Sequence, residues 1–578
     1  MIKTLAKSIR EYRKDAVLTP LFMVGEVSME CVIPLVMASL IDHMSSENMT
    51  DLLRYGAILL CMALFSLFCG IMSGRFAASA SAGFAANLRH DIFYRVQDFS
   101  FSDVDRFSTS SLITRMTTDV TNVQMSFMMI IRTAVRSPLM LIFSVIMSFR
   151  INSGVAVVFL AVVPVLGLGL YLIASHAFPI FKRIFKRYDA MNNSVQENVN
   201  GIRVVKSFVR EGYETERFEK TSGEVKKDFC FVERILALNG PLMMFCGYGA
   251  MLFICYIGAR IIISSGATEM TPGQLSSFMT YAIQILMSMM MLSMIVVTCA
   301  VSFESAKRIV EVLNTQSTLK SPENGISDVK DGSIDFDNVS FRYNGQSGRD
   351  ALNDIDLHIE SGKTIGIIGS TGSSKTTLIQ LIPRLYDTTA GTVRVGGKNV
   401  KEYDLDALRK QISVVLQKNV LFSGTVKDNI RWGREDATDQ EIEQVCRIAC
   451  AHEFITQMPE GYNSKIERGG TNVSGGQKQR LCIARALIAK PKVLILDDST
   501  SAVDTKTDAM IRKGLKEYLP GTTKIIIAQR VASVQDADEI IVMDNGSIAE
   551  RGNHESLIAL KGIYYEVWES QTHMKEEA

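Results

Sequence analysis

The sequence predicts a multidomain chain, a six-helix all-α transmembrane domain followed by an α/β P-loop domain. Three observations predict it. The 578 residues are more than one hydrophobic core organises. Up to about residue 310 long apolar runs alternate with basic ones, and after it short apolar strands alternate with polar helices. A Gly-rich loop ending in Lys-Thr joins an apolar strand to a helix in the second half.

A membrane helix needs about 20 mostly apolar residues. Six runs qualify: 17–41, 55–74, 128–149, 154–177, 239–264 and 277–301. Ahead of them Lys3, Lys7, Arg10, Arg13 and Lys14 suit a cytosolic amphipathic lead-in helix, with no secretory signal peptide expected. The loops 41–51 and 265–275 lack Lys and Arg, and 150–153 has only Arg150. The connections 75–127 and 178–238 are rich in both, so these and the N-terminus are expected in the cytoplasm. Their polar, helix-forming composition predicts helices that run past the bilayer and turn at Phe101–Phe107 and at Asn200–Ser207. The ten cysteines contain no C-x-x-C pair and read as small buried hydrophobes in a reducing compartment.

Ionisable residues inside a span face a cavity or a partner. Glu26 and Glu30 lie one turn apart on the first span, as do Arg132 and Arg136 on the third. They suit a polar substrate cavity or an ion pair between the spans; the arginines also suit snorkelling to the inner interface. The sixth span carries Met279, Met287, Met289, Met290, Met291 and Met294, which suit either a substrate path or ordinary packing and lipid contact.

In the second half, strand Thr364–Gly369 leads into Ser370, Thr371, Gly372, Ser373, Ser374, Lys375, Thr376 and Thr377, and then a helix. Backbone N–H groups and the helix N-terminus of such a loop cradle phosphates, with Lys375 on the β/γ-phosphates and Thr376 on Mg²⁺. The usual pattern has Gly where Ser374 stands, so crowding of the loop is expected there. Strand Val493–Leu496 ends in Asp497-Asp498, assigning Asp497 to Mg²⁺ and the next carboxylate to the attacking water. Between them, Ser474-Gly475-Gly476-Gln477 opens a helix, a second anion site of the same kind.

Together these motifs resemble an ABC exporter half-transporter along essentially the whole chain. The resemblance implies a transmembrane domain at 1–315, a nucleotide-binding domain at 333–578 and a polar join from Gln316 to Gly332. It implies that Tyr343 stacks on adenine and that Gln417 touches Mg²⁺ and the membrane domain. It also implies that Glu467-Arg468-Gly469 faces the cytoplasmic turns, that Ser474 to Gln477 grips the γ-phosphate held by the other half, and that Ser501–Asp504 crosses the dimer interface. The two turns match the family's coupling helices, Ile202–Ser207 more closely.

Three positions depart from the family pattern. Asp498 replaces the water-activating Glu, withdrawing the carboxylate by roughly 1–1.5 Å; a shift of about 1 Å can cost ~100-fold in rate. Gln529 replaces the γ-phosphate-sensing His and cannot carry a proton at neutral pH. Ser374 is the third. All fall on one nucleotide site while the signature at Ser474–Gln477 is intact, the pattern expected of one member of a heterodimer. The expectation is ATP-driven export of hydrophobic or amphipathic, multidrug-like compounds across a bacterial plasma membrane, with ATP and Mg²⁺ bound and a second half-transporter as partner. With no protease domain expected ahead of the first span, the chain resembles heterodimeric multidrug exporters more than peptide-processing ones. A homodimeric exporter and a non-transporting ATP-sensing subunit are the alternatives. A net charge of +1 without a basic, aromatic-lined stripe argues against nucleic acid as a partner.

Overall fold

The computed structural model describes residues 1–44, 49–343 and 350–576. The chain divides into two compact units, Met1–Gln97 with Ser108–Gln316, and Asp98–Phe107 with Ser317–Ala578.

In the first unit, six helices among the described residues are long and apolar enough to cross a bilayer. They are Ile2–His43, Met49–Gln97, Thr109–Ile151, Ser153–Ala177, Glu211–Ser265 and Pro272–Asn314. The helix starting at Ser153 continues to Asn200 as one 48-residue rod. At ~1.5 Å per residue it is roughly twice as long as a ~30 Å hydrocarbon layer. The turn segments Phe101–Phe107 and Ile202–Ser207 each form a short helix. The lead-in is helical only at Ile2–Ala6; a tighter turn follows, with Arg10 at φ 43°, before the helix resumes at Arg13. The expected 41–51 loop is shorter than read, since helix reaches His43 and resumes at Met49, and 45–48 lie outside the described residues. The third span breaks at Arg132 (φ −111°, ψ −67°), just ahead of Pro138, whose ring disfavours regular helix behind it.

Polar side chains tie the first, third and sixth spans together. Arg136 donates to Glu26 Oε1 at 2.7 Å and to both oxygens of Glu30 at 2.9 Å. This selects the interspan ion pair from the alternatives open for Arg136. Gly70 on the second span leaves room for it: a Cβ there would lie 3.3 Å from Glu26 Oε2. Arg132 instead lies near Gly74, where an added Cβ would come within 3.9 Å of its guanidinium. Pro34 lacks the N–H that would bond the Glu30 carbonyl, and Gln284 of the sixth span donates to that carbonyl at 3.2 Å. Gln284 Oε1 in turn accepts from Ser144 at 3.0 Å, and Tyr281 donates to the Cys31 carbonyl at 2.7 Å. Toward the start of the third long helix a π-helical turn, Arg115–Asp119, pairs Asp119 with Arg308 and Arg115 with Glu311. Such satisfaction is what a low-dielectric surrounding demands of polar groups. Of the methionines, Met289 packs among Leu166, Leu170 and Cys246, while Met287, Met290, Met291 and Met294 lie on exposed faces.

The second unit is built on sheets. β1 (Ile334–Phe341), β2 (Leu352–Ile359), β4 (Ala390–Val395) and β5 (Lys398–Asn399) form an antiparallel sheet ordered β2-β1-β4-β5. A six-stranded sheet runs β12-β11-β3-β10-β9-β6. Its strands are β3 (Thr364–Gly369), β6 (Ile412–Val415), β9 (Val493–Asp497), β10 (Thr523–Ile527), β11 (Glu539–Asp544) and β12 (Ser547–Gly552). β7 (Gly424–Thr425) pairs with β8 (Lys465–Ile466). Only β12 runs antiparallel in the six-stranded sheet. Alternation along β9 and β10 sends Val493, Ile495, Ile525 and Ile527 into the core shared with β1 and β2. Leu494, Leu496 and Ile526 enter the helical core with Leu481 and Ile511. Burial on both faces is the signature of a parallel sheet and explains why these strands read as unbroken apolar runs.

Arg136 answers two carboxylates, so removing it leaves buried charge uncompensated. Arg136→Met is expected to cost about 3 kcal/mol or more, read as a lower midpoint in detergent-denaturant unfolding of the full chain. Adding Glu26→Gln to that variant is expected to restore part of the loss. A double variant as unstable as the single one would count against the ion cluster.

Candidate nucleotide site

Register places the chemistry-bearing residues side by side. On β10, Ile527 pairs with Ile367 of β3 and with Asp497 of β9. The C-terminal ends of three adjacent parallel strands therefore deliver the Gly-rich loop, Gln529 and Asp497-Asp498 to one edge, where α/β sheets bind ligands.

The loop after β3 opens the helix Lys375–Leu381. At Gly369 (φ 153°) an added Cβ would sit 2.2 Å from the Met543 carbonyl, so the exit from β3 admits only glycine. Ser370, Thr371 and Gly372 are exposed, whereas Ser373 and Thr377 are buried. Ser374 adopts φ 71°, ψ 22°, in the left-handed region. The departure from Gly is thus felt as backbone strain at Ser374, of about 1 kcal/mol or more. Lys375 Nζ donates to the carbonyls of Gly369 and Ser370, both at 2.8 Å, folding its ammonium over the loop. Burial holds its pKa below the usual lysine value, opposed by Asp497 and Asp498.

Thr376 donates to Asp497 Oδ2 at 2.9 Å, and Asp497 is 2% exposed. Burial, with the charge of Asp498 added, pushes the Asp497 carboxyl above the usual range. A hydroxyl beside a buried carboxylate at a phosphate loop suits Mg²⁺, which takes hard oxygens and completes its shell with phosphate and water. A dication there would reverse the cost of keeping Asp497 charged. Gln417, read from sequence as touching Mg²⁺, has its side chain hydrogen-bonded to Asp498. Gln529 Nε2 donates to Asp498 Oδ2 at 3.0 Å. Asp498 has φ 48°, and its amide donates to the Ile527 carbonyl. Burial raises the Asp498 carboxyl too, with the Gln417 and Lys375 contacts opposing it.

Tyr343 closes one side, its hydroxyl bonded to Thr377 Oγ1 (3.0 Å) and Gln380 Oε1 (3.3 Å). The Ser474–Gln477 segment caps the helix Gly475–Ile488 by a reciprocal box: Ser474 Oγ accepts from the Gln477 amide and Gln477 Oε1 from the Ser474 amide. Its helix braces the Ser501–Asp504 loop through Gln479, a 6% exposed residue that the motif reading passed over. Gln479 donates to Ser501 Oγ at 3.1 Å and accepts from the Ala502 amide at 3.0 Å. Its place inside S-G-G-Q-x-Q was the available signal. Asp504 caps the following helix, and Glu467 accepts from Thr471.

Comparison with known proteins agrees with this layout. The family model for the ABC transporter transmembrane region matches residues 17–289, and the ABC transporter family model matches 352–501. The chain is 34% identical over 564 residues to the uncharacterized ABC transporter ATP-binding protein YfiB of Bacillus subtilis, covering 97% of each. It is 31% identical over 491 residues to an ATP-dependent lipid A-core flippase of Syntrophus aciditrophicus, covering 84% of this chain and 80% of that one. A bacterial Atm1-family ABC exporter with ATP bound shares the fold at TM-score 0.85 and 21% identity, over 97% of this chain and 99% of that one. The protein spans the membrane and carries an ATPase domain, with the ABC exporter fold. It belongs to the ABC transporter family.

Burial penalises the charged form of Asp497, so a carboxylate charged there is destabilising until a cation arrives. Its raised pKa means the native state gains relative stability as pH falls and loses it as pH rises through the shifted value. Asp497→Asn is therefore expected to unfold at a higher temperature than the parent without nucleotide at pH 7.5, the gap closing toward pH 4. The same variant is expected to lose the stabilising shift given by Mg²⁺–ATP. Differential scanning fluorimetry of the full chain reads both, and a parent that outlasts the variant at pH 7.5 contradicts the assignment. Ser374→Gly is expected to stabilise the chain by about 1 kcal/mol through relief of the left-handed conformation, in the same assay.

Proposed function

We propose that this chain is one half of a heterodimeric exporter that moves hydrophobic or amphipathic compounds out of the cytoplasm. In that reading its own site holds ATP with little hydrolysis, and its signature completes the hydrolytic site of the partner half. The observation that supports it most directly is the state of Asp498. The carboxylate that would activate water is short, and the side-chain amides of Gln417 and Gln529 hydrogen-bond it. An amide at 529 donates a hydrogen bond but cannot relay a proton at neutral pH.

Thr376, Asp497 and the Gln417 amide oxygen are the groups that would hold Mg²⁺ on the β- and γ-phosphates. When bound it would neutralise charge developing on the phosphates. Lys375 leaves its loop carbonyls for the phosphate oxygens, and Tyr343 offers its ring to adenine. Closure of two such halves on ATP, and release after hydrolysis at the partner's site, drive the spans between inward and outward access. The name of the flippase relative and the exposed methionines of the sixth span favour an amphipathic or lipid-like substrate. The basic connections support a cytoplasmic N-terminus and nucleotide domain, with the spans in a bacterial plasma membrane.

Steady-state ATPase tests this. The chain alone binds ATP but turns over far more slowly than the assembled pair. In the pair, Ser474→Ala removes most activity and Asp498→Asn changes little, whereas neutralising the partner's matching carboxylate abolishes turnover. Asp498→Glu alone restores little, because catalytic groups act as a unit; Asp498→Glu with Gln529→His is the combination expected to gain. A loss of about 100-fold with Asp498→Asn alone would return the homodimer to the front.

A further inference from the structure

The helix Ile563–Glu576, near the end of the chain, belongs to none of the motifs above. Tyr564, Val567, Trp568 and Gln571 fall at i, i+3, i+4 and i+7, so they share one face of it. Tyr564 is fully buried with Val531, Ile540, Val542 and Ile368, and Val567 and Trp568 pack against the same cluster. Glu550 of β12 caps the helix, accepting from the amides of Ile563 and Tyr564. The helix is therefore fixed at its start and along one face. That face ends on the polar side chain of Gln571. All these residues belong to the second compact unit.

Gln571 meets the chain just past the end of β10. The registered pairs of β10 with β3 and β9 reach Ile527, and the next amide, of Ala528, still donates to the Ile367 carbonyl at 3.2 Å. Past that bond Gln571 takes over from the sheet. Its Nε2 donates to the Gln529 carbonyl at 2.8 Å, and its Oε1 accepts from the Val531 amide at 2.9 Å. One side-chain amide thus stands in for a strand, meeting the carbonyl of one residue and the amide two residues on, groups that must find partners wherever they leave water. The two bonds are complementary, which fixes the way the amide faces. Gln529, held by its carbonyl, directs its own side-chain amide to Asp498 Oδ2 at 3.0 Å.

We infer that Gln571 is a positioning residue through which the helix Ile563–Glu576 sets this site's preference for a nucleoside triphosphate over a diphosphate. The backbone it clamps carries Gln529, and a hydrogen bond from Gln529 weakens steeply once it is misdirected. Adenine and the first two phosphates are met by Tyr343 and by the loop after β3, which Gln571 does not touch. The helix therefore governs recognition of the third phosphate and leaves affinity for the rest of the nucleotide alone. A site that holds ATP without consuming it depends on that selectivity, because nothing but binding separates ATP from ADP there. The inference rests on the reading that position 529 faces the γ-phosphate.

The test titrates the full chain in lipid nanodiscs with Mg²⁺ and either a non-hydrolysable ATP analogue or ADP. In the parent the analogue is expected to bind more tightly than ADP. Gln571→Leu keeps a helix-forming side chain of similar size and removes both hydrogen bonds. It is expected to lower the ratio of the two affinities by about 10-fold, while ADP affinity changes by less than about 2-fold. Gln529→Ala is expected to lower the ratio as far, and the double variant no further than either single one. Amide hydrogen exchange without nucleotide is expected to quicken at 529–531 in Gln571→Leu and to match the parent along β3 and β9, which shows the variant folded. Equal losses of affinity for the analogue and for ADP would mark a merely structural role and overturn the inference. A ratio that Gln529→Ala lowers and Gln571→Leu leaves intact overturns it as well. A ratio that Gln529→Ala leaves intact fails the γ-phosphate reading beneath it, and the inference falls with that reading.

Discussion

Strands β9 and β10 are buried on both faces, and the nucleotide site depends on that constraint. A strand with apolar neighbours on each side has no tolerance for a register slip, because every side chain would exchange cores. The alternation of Ile525, Ile526 and Ile527 between two cores locks β10 against β3 and β9. The strand ends are then fixed to within a residue. Gly369, Gln529 and Asp497-Asp498 sit where they do because the apolar residues behind them cannot move.

The polar groups at those ends are held at a disadvantage. Asp497 and Asp498 are carboxylates pushed toward their neutral forms by burial, and Lys375 is an ammonium pushed the same way. Ser374 and Asp498 add left-handed backbone. Strain and desolvation gathered at one strand edge are typical of functional sites. Cations and phosphates relieve the electrostatic part, so nucleotide binding and local stability are linked.

The first unit meets the same constraint with a different solution. Its helices bury polar groups such as Glu26, Asp119 and Ser144, and these are answered across spans. Arg136 serves Glu26 and Glu30, and Gln284 replaces the donor that Pro34 removes. Each contact joins residues more than a hundred positions apart, so each fixes packing between helices rather than within one. The π-turn at Arg115–Asp119 does likewise, its extra residue per turn aiming Arg115 and Asp119 at the helix Pro272–Asn314.

The sequence by itself determined the fold class, the six spans and the phosphate-loop motif, because these signals are local. Apolar run length marks a span, and the order strand, Gly-rich loop, Lys-Thr, helix marks a phosphate site, whatever lies elsewhere in the chain. It also named Glu26, Glu30 and Arg136 as costly, though not which would pair. What only the tertiary structure decided is who faces whom. Gln417 turning to Asp498, Gln479 bracing Ser501, Gln284 finding the Glu30 carbonyl and Gln571 finding the Gln529 carbonyl leave no local pattern. Each is a single polar side chain whose partner is distant in sequence and is set by the packing of apolar faces around it.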